Sequence, residues 1–323
     1  MIKSIQTFNW PFLLLIILAI LLINPFYLTS SSSSSSSSLV SARILAGVTI
    51  ESAPFINVEN NKFTGFCVDL MNLIEEFTGL NYSLYLVADG TYGFGNEHTG
   101  KVSGLIGDVY LKKADFAIAD MTVTEKRKQY VNFTEPFLRF SFSALARRSL
   151  VKNLQTMDDL AIKSDLAIGT FMNGKTMINM QLVRDKIRNV QWLYDQLLRN
   201  KTNLVTRLDE AMYKIYHERY AFIQEEPKNL YLASKDCSLK MLNDQNLYVP
   251  GEYAIAFRHD SPYIQKFNNA IKFIKYKGYL KRLIRKHFYN AQCMNSAYSQ
   301  HWQQQYFYQL IISVSLTLYW TIH

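Results

Sequence analysis

The residues best suited to bind a small charged molecule lie between Met121 and Phe137, in the stretch MTVTEKRKQYVNFTEPF. Thr124 is a favourable N-cap for a short helix that begins TEKRK, and Glu125 suits its first turn. Unpaired N–H groups at a helix start attract an anion, and Arg127 can add a bidentate clamp on a carboxylate. The alternative interpretation is a surface helix whose basic side chains face water.

Two motifs in this stretch resemble the ligand-binding core of ionotropic glutamate receptors. They are T-x-T-x-x-R, which ends at Arg127, and N-F-T-x-P-F, which ends at Phe137. Further segments occur in the order found in that family, namely GVTIESAPF, FTGFCVDL, DGTYG and KADFAIAD. The resemblance therefore covers the family's first ligand-binding segment and implies a site for a free amino acid.

The resemblance assigns roles to residues that match the family's motifs. Arg127 would hold the α-carboxylate of the ligand, and Thr122 would contact both the carboxylate and the ammonium. Glu225 matches the glutamate that pairs with the α-ammonium; otherwise it is a capping or surface carboxylate, and Glu226 is its natural comparison. Thr176 matches the threonine at a helix start that meets the distal carboxylate. Thr176 together with Glu225 favours L-glutamate or a close acidic analogue.

Three of the matched positions depart from the family pattern. Asp120 stands where many relatives have proline, so an extra carboxylate would alter the field near the ammonium. Lys175 replaces a serine or alanine and either points to solvent or adds positive charge. Phe63 replaces a tyrosine or similar ring that caps the ligand, and its alternative role is that of a core aromatic.

Composition limits the function classes. The chain has 323 residues, about half of them apolar, and a formal net charge of +9 spread along its length. No RNP, zinc-finger or homeodomain pattern indicates a nucleic-acid partner. The histidines show no metal-ligand spacing, and no cofactor motif is present. The absence of G-x-S-x-G, HExxH or a Cys–His constellation argues against an enzyme on a similar fold.

Strand-like and helix-like segments alternate from residue 43 onwards, which predicts an α/β fold. They include a helix from about Phe66 to Thr78 that ends at Gly79, and strands at Tyr220–Glu225 and Tyr253–Phe257. The resemblance implies a two-lobed clamshell of the type II periplasmic-binding-protein kind, with the ligand in the cleft. Lobe 1 would hold residues 43–140 and 253–293, and lobe 2 residues 141–252. The chain would then cross twice between the lobes, which makes a hinge.

The family's pore segment is missing from this sequence. Arg148 is followed almost directly by Leu154, which resembles the start of the second ligand-binding segment. Two interpretations follow: a pore-less amino-acid-binding protein, or a ligand-gated cation channel subunit whose pore has been lost from the sequence. A homo- or hetero-oligomer with related receptor subunits fits either interpretation.

The two ends of the chain predict export and membrane attachment. Residues 1–29 have the charge and the short apolar run of a signal peptide, or of a signal anchor. Residues 30–42 are a serine-rich linker. Residues 294–323 combine a polar spacer with an apolar run, which fits a membrane segment, a GPI signal, or a buried core helix. The predicted location is the cell surface, with the binding core outside the cell.

In an exported chain, cysteines can form a disulfide and N-x-S/T sequons can be glycosylated. An odd number of cysteines predicts one bridge and one free thiol. Cys67 lies in an apolar helical stretch, where a reduced thiol is expected, so Cys237 and Cys293 are the plausible disulfide; the resemblance places the family's terminal disulfide at the same two positions. The predicted glycosylation sites are Asn81, Asn132 and Asn200.

Overall fold

The structure is a computed structural model. It describes residues 43–93, 101–172, 174–184, 188–243, 251–289 and 293. The predicted signal peptide, serine-rich linker and C-terminal membrane segment lie outside these residues. Among the described residues, no helix has the length and apolar character that a membrane crossing requires.

The strands and helices follow the predicted alternation. The strands are β1 (Leu45–Thr49), β2 (Asn57–Glu59), β3 (Lys62–Thr64), β4 (Tyr82–Leu86), β5 (Phe116–Ala117), β6 (Asn132–Phe133), β7 (Leu138–Phe140), β8 (Phe142–Arg147), β9 (Ala167–Gly169), β10 (Tyr220–Glu225), β11 (Leu239–Asn243), β12 (Gly251–Tyr253) and β13 (Ala256–Phe257). The helices are α1 (Phe66–Thr78), α2 (Gly104–Tyr110), α3 (Glu125–Lys128), α4 (Met157–Lys163), α5 (Lys175–Val183), α6 (Arg188–Arg199), α7 (Leu208–His217), α8 (Glu226–Lys235), α9 (Ile264–Tyr276) and α10 (Tyr279–Phe288).

The first sheet has the strand order β4-β1-β5-β13-β6. Strand β1 pairs in parallel with β4 and β5, whereas β13 runs antiparallel to β5 and β6. Helix α1 connects the parallel strands, as a crossover between parallel neighbours requires. It ends at Gly79, whose left-handed backbone (φ 67°) caps the helix through a bond to the carbonyl of Glu75.

The second sheet has the strand order β11-β8-β10-β9. Strand β8 runs antiparallel to both β10 and β11, and β9 joins β10 in parallel. Strand β10 is the predicted segment Tyr220–Glu225, so its last residue is the predicted ligand-binding carboxylate. The mixed α/β architecture confirms the predicted fold class.

The chain crosses between the two sheets at the pair β7 and β12. These strands are antiparallel, with Phe140 opposite Gly251 and Leu138 opposite Tyr253. A Cβ at Gly251 would lie 2.2 Å from the ring of Phe140, so glycine is needed where this ring covers the backbone. The predicted single strand from Tyr253 to Phe257 is instead divided between β12 and β13, because it changes partner at this crossing.

Apolar side chains pack on both sheets. Helices α1, α9 and α10 cover the first sheet around fully buried rings that include Phe55, Phe66 and Tyr253. Helix α2 packs on the same sheet, where it contacts β1, β5 and β13. The second sheet buries a separate cluster with α4 and α6, including Leu160 and Leu193. The cluster around the first sheet also includes Leu145 and Phe222 of the second sheet, so one apolar core continues from the first sheet to the second.

The disulfide forms as expected, between Cys237 and Cys293, and Cys67 is a buried free thiol in α1. Arg148 organises the same region, since its guanidinium donates to the carbonyl oxygens of Cys237, Leu239 and Cys293. The bridge thereby ties the end of the described chain to the second sheet.

Replacing Cys237 and Cys293 together by serine should lower the free energy of unfolding by about 2–4 kcal/mol, because the bridge restricts the unfolded chain. It links residues 56 positions apart. Urea unfolding of the oxidised wild type and the double variant measures the difference. Alkylation is the control: the native oxidised chain should take up no label at buried Cys67, and one label after denaturation. Equal unfolding midpoints would contradict a structural role for the bridge.

Candidate functional site

Arg127 is held inside the protein by its own short helix. The hydroxyl of Thr124 caps α3 by accepting from the backbone N–H of Arg127, which confirms the predicted helix start. The arginine is only 4% exposed, and its Nη1 and Nε donate to the carbonyl oxygens of Thr122 (2.7 Å) and Gly93 (3.3 Å). The alternative of a solvent-facing basic residue is therefore wrong for Arg127, although Lys126 and Lys128 are exposed.

The acceptors of this guanidinium are uncharged, and no described carboxylate is in ion-pair contact with it. Burial lowers the pKa of Arg127, whereas the charges of Glu225, Tyr92 and Asp120 act to raise it. A buried cation without a contacting anion is costly. The remaining guanidinium N–H groups can therefore gain much from a carboxylate that arrives with a ligand.

Glu225, the last residue of β10 in the second sheet, contacts Thr122, which also contacts Arg127. Its Oε1 accepts from the hydroxyl of Thr122 at 3.0 Å, and its Oε2 accepts from the hydroxyl of Tyr253 at 2.6 Å. Thr122 thus contacts Arg127 through its carbonyl oxygen and Glu225 through its hydroxyl. Burial raises the pKa of Glu225, with a further contribution from Asp120, and the two hydroxyl donors oppose this rise. The structure brings the predicted cation, anion and bridging threonine together.

The backbone around Tyr253 fixes these positions. Thr122 and Tyr253 form an antiparallel bridge, and the N–H of Val123 donates to the carbonyl of Glu252 at 2.8 Å. Tyr253 itself is fully buried, with its ring 4.3 Å from that of Phe140. Tyr253 was not predicted as a site residue, because its run of apolar neighbours indicated only a strand.

Asp120 has hydrogen-bond and ion-pair partners of its own. Its Oδ1 accepts from the hydroxyl of Tyr92 at 2.6 Å, and its Oδ2 lies 2.6 Å from the ammonium of Lys228 and 3.2 Å from the hydroxyl of Ser52. Lys228 is the residue that sequence reasoning missed. The available signal was its spacing, because it follows Glu225 by three positions and so lies one helical turn along α8.

Thr176, the residue predicted for the distal subsite, lies in the first turn of α5. Thr176 is 4% exposed, and α5 packs against β10, the strand that ends at Glu225. Gly174 caps this helix without a side-chain hydrogen bond, so the cap leaves initial N–H groups for another acceptor. The side chain of Lys175 lies outside the described part of the structure, and its role stays a prediction.

The other predicted residues have simpler surroundings. Phe63 is half-buried on β3 and packs against the core around α1, which is the alternative role considered for it. Asn81 and Asn200 are exposed. Asn132 is half-buried, and its amide donates to the carbonyl of His259 at 3.3 Å, so a glycan there would replace this bond. Its use as a glycosylation site, like that of the other two, stays a prediction.

The fold and the site together define a two-lobed, clamshell-type binding core. Residues 43–149 match the family model described as "Ligated ion channel L-glutamate- and glycine-binding site". Human "Glutamate receptor ionotropic, delta-2" is 28% identical over 190 residues, which cover 56% of this chain and 18% of that receptor. Rat "Glutamate receptor ionotropic, kainate 4" is 38% identical over 88 residues, covering 27% and 9%.

A solved structure extends the similarity to the fold. The "Drosophila muscle GluRIIB complex with glutamate" superposes with a TM-score of 0.66 at 21% identity, covering 76% of this chain and 99% of that one. The resemblance to ionotropic glutamate receptors found in the motifs is therefore confirmed, and the described structure has the receptors' clamshell fold. The chain spans only about a fifth or less of the length of the delta-2 and kainate 4 receptors.

Glu226, the residue after Glu225, is buried and has different hydrogen-bond partners. It begins α8, is 1% exposed, and its carboxyl accepts from the amide of Asn243 at 3.3 Å. Its backbone N–H donates to the carbonyl of Ser141, next to the crossing strands. Burial raises the pKa of Glu226 to about 7. Glu226 is thus a buried carboxyl outside the group around Thr122.

The buried carboxyl predicts a pH dependence of stability. Between the ordinary pKa of 4.5 and the folded value of about 7, the folded chain binds more protons than the unfolded chain. The contribution of Glu226 to the free energy of unfolding should therefore fall as pH rises through this window, by up to about 3 kcal/mol. Glu226→Gln should remove this fall and be more stable than wild type at pH 8.

Urea unfolding at pH 5 and pH 8 measures the effect. Glu76→Gln, which changes an exposed glutamate on α1, is the matched control and should leave the wild-type pH dependence intact. A Glu226→Gln variant that loses stability between pH 5 and pH 8 as much as wild type does would show that Glu226 is not the group responsible.

Proposed function

We propose that this chain carries an extracellular amino-acid-binding core that clamps L-glutamate, or a close acidic analogue, between its two lobes. The observation that supports this most directly is the pair of opposed charges joined by one threonine. Arg127 offers N–H donors to a carboxylate, Glu225 offers oxygens to an ammonium, and Thr122 contacts both. A free amino acid carries these two charges on one carbon atom.

The proposed orientation follows from the chemistry of the two sides. The α-carboxylate binds Arg127, which comes from the first sheet, and the α-ammonium binds Glu225 at the end of β10 in the second. A ligand held by both sides favours closure by the amount its contacts differ between the closed and open states. Receptor relatives such as delta-2 support this use of the fold.

Glutamate, rather than glycine, is proposed because of the start of α5. Thr176 is buried there, and the helix has no side-chain cap. Hydroxyl and backbone N–H donors at a helix N-terminus suit a second carboxylate. The similar GluRIIB structure was determined with glutamate.

A channel subunit whose pore is absent from this sequence is the alternative. In this sequence the join between Arg148 and Leu154 is packed into the fold, with Val151 fully buried. The ammonium of Lys240 also donates to the carbonyl oxygen of Leu154 at 2.6 Å. Sequencing of the transcript across this join decides: an uninterrupted reading frame supports the pore-less core, whereas coding sequence for membrane helices at this point supports the channel.

The predicted signal peptide, C-terminal attachment and sequons belong to the same proposal. They place the binding core outside the cell and leave it tethered to the membrane, as a receptor alone or with related subunits. Surface labelling of intact cells that express the chain, with and without phospholipase that cleaves GPI anchors, tests this location and the kind of anchor.

Replacing Arg127 by alanine should weaken L-glutamate binding by roughly 2–5 kcal/mol, because the ligand carboxylate would then be desolvated without its partner. Isothermal titration of the purified full-length chain measures the loss. Arg127→Lys keeps the charge but not the planar fork, so it should fall between alanine and wild type.

Lys128→Ala is the matched control, because Lys128 is exposed on the same helix and pairs with Glu125. It should bind L-glutamate as wild type does. The side chain of Arg127 donates to the backbone carbonyls of Thr122 and Gly93, and these bonds are lost in the Arg127 variants. The melting temperature of each variant shows whether this loss has unfolded the protein. Unchanged binding by folded Arg127→Ala would refute the assignment of this site.

Thr176→Val tests the distal subsite, since valine keeps the shape of threonine and loses its hydroxyl. Affinity for L-glutamate should fall by about 1.5–3 kcal/mol, the range for a hydrogen bond to a charged group, whereas affinity for L-alanine should hardly change. Titrations with both ligands give the comparison. An equal loss for the two ligands would indicate that Thr176 supports the fold and does not contact a distal carboxylate.

A further inference from the structure

The ion pair between Lys228 and Asp120 crosses from one sheet to the other. Asp120 follows β5 of the first sheet, and Lys228 lies on α8, directly after β10 of the second. The lysine ammonium lies 2.6 Å from Oδ2 of Asp120, with side-chain exposures of 24% and 3%. This pair was not part of the predicted site, and it lies within the electrostatic reach of Glu225, whose ionisation both residues influence.

Both ends of the pair are held in place. Tyr92 donates its hydroxyl to Oδ1 of Asp120, and Ser52 donates to Oδ2. The ammonium of Lys228 also contacts the hydroxyl of Ser52 and lies 5.8 Å from the ring centre of Phe55. Asp120 already has an ammonium as partner, whereas the described donors to Glu225 are the neutral hydroxyls of Thr122 and Tyr253, so Glu225 is the better carboxylate for a ligand's ammonium.

The charges of the four residues cancel. Arg127 and Lys228 supply two positive charges, and Asp120 and Glu225 supply two negative ones. An α-amino acid group is itself neutral, with one charge of each sign, so it can enter without disturbing this balance. Without the charge of Lys228, the same place would hold two carboxylates and one cation, and would favour a ligand with an additional positive charge.

We propose that Lys228 determines the specificity of this site: its ammonium neutralises Asp120, so the site selects ligands with a single ammonium and rejects diamino acids. The inference rests on the proposed amino-acid-binding function. It assigns Lys228 to ligand selection through charge, and Asp120 to the role of its fixed counter-ion.

The test compares L-glutamate with L-ornithine, a diamino acid, by isothermal titration of the purified full-length chain. Lys228→Met removes the charge at nearly constant length and should shift the ratio of the two dissociation constants towards L-ornithine by about tenfold or more. Asp120→Asn leaves Lys228 without its anion and should shift the ratio towards L-glutamate. The double variant should return close to the wild-type ratio.

Two further variants keep the test decisive. Lys228→Arg retains the charge and should keep the wild-type preference. Lys235→Met removes an exposed charge from the same helix and should leave the ratio unchanged. If Lys228→Met does not fold, Lys228→Gln provides the same loss of charge with a polar end.

The outcomes separate the inference from the proposed function. Wild-type binding followed by opposite shifts in the two single variants supports the inference. Equal weakening of both ligands in Lys228→Met and Asp120→Asn would overturn it, because the pair would then only hold the two sheets together. A wild-type chain that binds no amino acid would refute the proposed function itself, before any variant is compared.

Discussion

The central physical constraint is the burial of charged groups where the two sheets meet. Arg127 is nearly inaccessible to water, yet its contacts in the described structure are carbonyl oxygens. Desolvation of an ion costs several kcal/mol unless opposite charges and hydrogen bonds compensate it. The carboxylates of Glu225 and Asp120 favour the charged form of Arg127 without an ion-pair contact to it, and Lys228 offsets the charge of Asp120 by direct contact.

The crossing strands β7 and β12 set the positions of the groups around Glu225. Tyr253 pairs with Leu138 through β12 and β7, bridges to Thr122 through its backbone, and donates its hydroxyl to Glu225. One residue at the crossing therefore contacts elements of both sheets. Gly251, two positions earlier, permits the close packing of Phe140 that supports the same ring. The crossing thus positions the site as well as connecting the sheets.

Much of this arrangement could be predicted from local sequence signals. The N-cap at Thr124, the helix stop at Gly79 and the strand that ends at Glu225 each depend on residues close in sequence, and the structure has all three. The motif resemblance assigned Arg127 and Glu225, far apart in sequence, to one site, which periodicity alone could not do; in the structure Thr122 contacts both.

The missed features depend on tertiary contacts. Lys228 was not predicted as a site residue, and Glu226 was only the comparison for Glu225. Pro227 fixes where α8 begins, and this register turns Lys228 towards Asp120, 108 positions earlier, and buries Glu226 beside Ser141 and Asn243. The spacing of Lys228 from Glu225 indicates that these two residues lie close together, but it does not indicate Asp120 as the partner of Lys228. That partner depends on the contact between the two sheets. Tyr253 was missed for the same reason.

Charge balance also explains why a departure from the receptor pattern at Asp120 can be tolerated. A carboxylate added alone beside Glu225 would raise the cost of burying both, since like charges at short range oppose ionisation. Lys228 offsets that cost by direct contact, and Tyr92 and Ser52 satisfy the remaining lone pairs of Asp120. The cation comes from the opposite sheet, so the compensation is complete only when the sheets are together. Under the proposed function, specificity and closure are coupled, because the charge pattern that selects the ligand is complete only when the two sheets are in contact.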